Sequence, residues 1–269
     1  MQKSTFKRMV AACIALLAII CSPSGEEPQS VFLRVQAEGN GLQVVTNDHD
    51  WSVELSALRV AVRNIEFTIE GGTHARTPRR FPLLPPRALA HPGHYAGGEV
   101  TGELSGEYLV DFFSPNPQIL GEAELLPGDY NGINLYFRRT SESDGLEQDD
   151  PLLGHTAFME GTASKADETV AFTAVVDAAE DTQMVGGPLE LEVSADTSDT
   201  LVLSLYTLDP SESDTLFDGL DFALLDEDGD GVVEIEPGQT AHNILMKTLI
   251  RHDHFGMEVR PDGGQVNEK

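Results

Sequence analysis

Cysteine is almost missing from this chain. Its two copies, Cys13 and Cys21, both fall in the first 21 of 269 residues. The remainder has no thiol for a disulfide framework, a thiolate metal cluster or a nucleophile, so its stability must come from core packing, to which a bound metal could add. Basic residues are also scarce: 17 Lys and Arg stand against 45 Asp and Glu, a formal net charge of -28 at pH 7. Such a field repels DNA, RNA and anionic lipid and favours cations or basic partners. Trp51 is the single tryptophan, which argues against a sugar-stacking face built from several exposed aromatics. Enzyme signatures are missing as well: there is no G-x-S-x-G elbow, no HExxH and no phosphate-binding loop, so the expectation is a non-enzymatic protein. The longest apolar run, Met9 to Ile20, is too short to remain as a bilayer-spanning helix.

What is present begins with that run. Lys3, Lys7 and Arg8 precede it and the polar stretch Ser22 to Ser30 follows it, the arrangement of an export signal and a tether. Cys21-Ser-Pro-Ser-Gly resembles the lipobox of bacterial secreted lipoproteins, in which the cysteine is lipidated and anchors the mature chain. Ile20 departs from that family's small residue before the cysteine. Val10-Ala-Ala-Cys13 has the small residues but almost no apolar run ahead of it. The resemblance implies an exported protein held at the outer or cell surface through Cys21, touching membrane by that anchor alone.

Between residues 31 and 210 the chain reads as a β-sandwich. Strand-like runs at Val31 to Ala37, Leu42 to Thr46 and Val53 to Ile69 give way, after an irregular Pro/Gly/Arg/His segment from Glu70 to Gly98, to further runs. These are Val100 to Leu104, Glu107 to Phe113, Ile119 to Leu125, Ile133 to Phe137, His155 to Ala163, Val170 to Val176, Leu189 to Val193 and Leu201 to Leu205. Alternation such as Val170/Phe172/Ala174/Val176, broken by Gly, Pro, Asp and Ser clusters, is the pattern of half-buried antiparallel strands. Gly39-Asn-Gly41 is a turn signal of the hairpin type. In the longest run Leu58/Val60/Val62 slips phase to Ile65/Phe67/Ile69, which predicts a bulge near Asn64. Leu125-Leu-Pro127-Gly128-Asp-Tyr130, entering an alternating run, resembles the strand-entry turn of transthyretin-like and carboxypeptidase-regulatory-like sandwich domains of bacterial surface proteins. It covers about Leu104 to Phe137 and implies a fold without an activity.

Residues 211–260 read as a loop-helix section packed on the sandwich, and 261–269 as a disordered tail. Pro237 suits a first helical turn, and Ala241, Ile244, Leu245, Thr248 and Leu249 form one apolar face, so a single short helix is expected. Just before it, Asp226, Asp228 and Asp230 occupy alternate positions of a calcium loop, Gly231 stands where the chain must turn sharply, and Val232 offers its carbonyl at position 7. Pro237 stands where the bidentate Glu belongs, leaving Glu234 and Glu236 as the nearest carboxylates. Five of eight histidines fall at His91, His94 and from His242 to His254. His91, His94, His252 and His254 would suit zinc or copper if the fold joined them. His242 and Met246, four apart, could bind a soft metal or simply fill core. The sequence thus points to a cell-envelope protein binding calcium at residues 226–236 and zinc or copper at histidines; an adhesion or surface-assembly module holding calcium only structurally is the alternative. Its protein partner is not legible.

Overall fold

The computed structural model describes residues 29–69 and 98–261. The export segment with Cys21, most of the tether, His91 and His94, and the tail from residue 262 lie outside them.

The chain is mainly β, as its alternation requires. The ordering strand is β3 (Ser52–Ile69), eighteen residues long. One of its edges pairs with β7 (Ala157–Lys165) and then, from Val62 onward, with β6 (Gly128–Phe137); the other pairs with β2 (Val45–Thr46) and β4 (Glu99–Asp111). Asn64 takes a left-handed φ of 40°, and register slips between Arg63 and Ile65 in both flanking ladders. This extra residue keeps Leu58, Val60, Ile65 and Phe67 all in the core despite the change of phase.

β7 continues to β8 (Glu168–Val176) and β11 (Val232–Ile235). β4 continues to β5 (Gln118–Leu125), β1 (Val31–Glu38), β10 (Thr200–Leu205) and β12 (Phe255–Arg260), while β9 (Gln183–Val193) borders β6. The twelve strands make one mixed sheet in which β1–β10 and β8–β11 are parallel and every other pairing is antiparallel. The sheet folds over a single apolar core lined by Leu33, Ile65, Ile133, Phe172, Leu203 and Phe255. It is not closed: β12 lies along β9 without a ladder.

Several expected boundaries move, each for a local reason. The 39–42 turn forms, with Leu42 N donating to Gly39 O at 3.0 Å, yet β2 pairs with β3 and so closes no hairpin with β1. The runs at Val100 and Glu107 are one strand, because Gly106 at φ 139° absorbs the break between them. The 211–260 section packs on the sheet and also enters it through β11 and β12. Two helices stand where one was expected: the single turn α1 (Phe222–Leu225) and α2 (Thr240–Leu249). α2 starts three residues after Pro237, since Gly238 at φ 98° turns the chain first.

Candidate metal centre

The acidic loop is clamped at both ends by core packing. Before it, Asp221 caps α1 by accepting from Ala223 N at 3.3 Å and from the Trp51 indole N–H at 3.1 Å. Phe222 is fully buried between Trp51 and Phe172, with ring centroids 5.6 and 5.2 Å away. After it, Val233 and Ile235 bury from β11 as the strand pairs with β8. The segment between must reverse within a few residues, and Gly229 and Gly231 do so at φ 71° and 78°, a region that side-chain-bearing residues rarely adopt.

Within the turn the aspartates fold inward. Asp226 Oδ1 accepts from Asp230 N and its Oδ2 from Gly231 N, both at 3.1 Å; Asp228 Oδ1 accepts from Asp230 N at 3.4 Å, and Asp230 Oδ1 from Val232 N at 2.9 Å. Each aspartate binds backbone two to five residues onward, the pairing that tightens Asx turns. One carboxylate oxygen from each of Asp226, Asp228 and Asp230 then lies within 4.8 Å of the others. No other group of three or more acidic, imidazole or thiol side chains gathers this closely among the described residues.

The position-7 carbonyl follows from the ladder. Ala171 N takes the Gly231 carbonyl at 2.8 Å, and backbone groups of successive strand residues point to opposite edges. The Val232 carbonyl therefore faces away from β8 and is not spent on that ladder. Glu234 shares the solvent face of β11 with Val232, and Glu236 lies past the strand end, where its N–H donates to Gln239 Oε1 at 3.1 Å. Neither joins the three-carboxylate group. The arrangement sets three carboxylates at alternate residues around a turn, the hard oxygen donors that hard cations take.

Among the described residues the histidines join no group of three metal-ligating side chains. His252 and His254 share a 3-10 turn (His252–His254), with His252 Nδ1 against the Asp253 carboxylate. His254 is fully buried, its Nδ1 2.9 Å from the Tyr206 carbonyl. Burial pushes the His254 imidazole below its ordinary pKa, against the smaller opposing pull of that bond. His242 docks its helix: its Nε2 accepts from Asp177 N, at the end of β8, at 2.9 Å, and Met246 packs on the core. His155 bonds the Asp177 carboxylate at 2.8 Å, beside Arg139 at 3.3 Å. One buried residue gave no linear signal: Asp209, 3% exposed, whose Oδ1 accepts from Ser211 N at 2.6 Å.

No protein-family model, curated protein or solved structure matches this chain.

Proposed function

We propose that this chain is a non-enzymatic, exported cation-binding protein that takes calcium on Asp226, Asp228, Asp230 and the carbonyl of Val232. One observation carries the reading: the convergence of three carboxylates in a glycine-tightened turn with core anchors on both sides. Six carboxylates, Asp226, Glu227, Asp228, Asp230, Glu234 and Glu236, crowd eleven positions without a basic residue. Their mutual repulsion opposes the turn until a cation offsets it. Without a bidentate twelfth-position ligand, the affinity belongs with extracellular modules at ~10⁻⁴–10⁻³ M. Cys21 supplies the lipid anchor in this reading, and Cys21→Ser should move the protein from the membrane fraction to the soluble one.

Calorimetric titration of the purified protein with calcium tests the loop. Wild type should bind one calcium there, and Asp228→Ala, which removes a ligand oxygen and leaves both glycines, should lose that binding. Thermal melting gives a second readout. Calcium at about ten times Kd should add about 1.4 kcal/mol of stability, a shift of a few degrees that Asp228→Ala should lack. A wild-type melting point that sodium chloride of equal ionic strength moves as far as calcium does would overturn the proposal, because screening would then account for it.

A further inference from the structure

β11 ends the sheet on its side, with β8 along one edge and no strand along the other among the described residues. Because the Gly231 carbonyl faces β8 and backbone direction alternates, residues 232 and 234 turn their main-chain groups to the free edge. Two groups near it are already spent: Val232 N–H donates to Asp230 Oδ1 at 2.9 Å, and Glu236 N–H, past the strand end, to Gln239 Oε1 at 3.1 Å. The Val232 carbonyl, the Glu234 N–H and the Glu234 carbonyl are left, an acceptor, a donor and an acceptor in a row, with no partner among the described residues. Such a row is a template for one more strand.

The template is held in place before anything binds. Val233 and Ile235, 3% and 1% exposed, fix β11 to the core, and all four of its residues pair in register with residues 171–174 of β8. A strand added here gives up little order on the protein's side. Beside the edge, Val232 is 53% exposed, and Leu224, before the acidic loop, is 74% exposed.

Charge selects the occupant. Asp226, Glu227, Asp228, Asp230, Glu234 and Glu236 lie in or next to β11 without a basic residue among them. Pairing this edge with the same edge of a second copy would set these carboxylates against their equals, on chains of net charge -28 each, and like charges opposed across a ladder are destabilising. A Lys or Arg opposite Glu234 reverses the sign of that interaction, and its methylene stem can lie over Val232.

We propose that the free edge of β11 docks an extended basic peptide, which adds to the sheet as a strand and sets Lys or Arg against Glu234 and the acidic loop. This goes beyond cation binding at the loop: of the three edge groups only the Val232 carbonyl also serves the calcium reading.

The test is fluorescence anisotropy of a labelled ten-residue peptide of alternating Lys and Val with the full chain. Chelator is present throughout, so the result is independent of whether the loop binds calcium. Wild type should bind the peptide saturably. The same peptide with every second backbone nitrogen methylated on the pairing edge keeps its charge but cannot donate, and it should bind about fivefold more weakly or worse, the share of one ordinary hydrogen bond. On the protein side, Glu234→Gln removes the charge and keeps the N–H, while Glu234→Pro removes both; the N–H at 234 faces away from β8, where proline is tolerated in an edge strand. Glu234→Pro should bind about fivefold more weakly than Glu234→Gln. Should Glu234→Pro fail to fold, the methylated peptide carries the test on wild type alone. No saturable binding by wild type, equal binding of the methylated peptide, which would leave charge attraction only, or a chain that dimerises through this edge overturns the proposal.

Discussion

Arg138 shows how single residues hold an acidic protein together. Its side chain is 8% exposed and pairs with Asp144, 9% exposed, through both terminal nitrogens. Its Nε also donates to the Val62 carbonyl at 3.2 Å, and Asp144 further accepts from Ser141 N at 2.7 Å. Asp144→Ala strands a buried guanidinium and should cost about 3–5 kcal/mol, read as a lowered urea midpoint. The same pair sets a pH dependence. The hydrogen bond from Arg138 holds the Asp144 carboxyl below its ordinary 3.8, as Arg59 does for Asp150, and Arg260 holds Glu38 below its ordinary 4.5. Because the folded values are depressed, the unfolded chain binds protons first as pH falls. The stability from these pairs is complete above the ordinary values and disappears as pH drops through the folded ones. Urea midpoints should thus be flat near neutrality and fall in acid, with a shallower fall in Asp144→Ala.

Among the elements, those built on alternation were legible and those built on ladders alone were not. The phase slip around Asn64 located a bulge that two neighbouring strands both register. β6 and β9 run longer than their apolar patterns, because Gly128, Gly132 and Gly187 give no alternation to read yet pair in the ladder. β12 does alternate Phe255, Met257 and Val259, but it abuts a helical pattern, and nothing local says that its partner is β10. The acidic loop was legible because Asp226, Asp228 and Asp230 are close in sequence; the bond between His254 Nδ1 and the Tyr206 carbonyl was not, since it exists only through tertiary packing. α2 packs against β8, docked through His242, and buries Leu245 fully in the core. Leu245→Ala should cost about 2–5 kcal/mol by urea titration, for lost burial plus the cavity left behind.

For the molecule as a whole, the charge of -28 is the dominant background. Repulsion among like charges disfavours any compact state, so added salt should raise the melting point of wild type and Asp228→Ala alike, leaving the calcium-specific increment to stand above it. The parallel pairing of β1 with β10 matters for another reason. Arg34 lies opposite Thr200 and Glu38 opposite Ser204, so the earliest described strand meets that partner only after the chain is made through residue 204 of 269. Contacts this remote in sequence slow folding, because the loop must close before the contact stabilises anything. During synthesis β1 therefore waits with one edge unpaired, and the acquisition of the native state is tied to release of the chain through β10 and β12. That long interval with an open strand edge is when association with other nascent chains competes most strongly with folding.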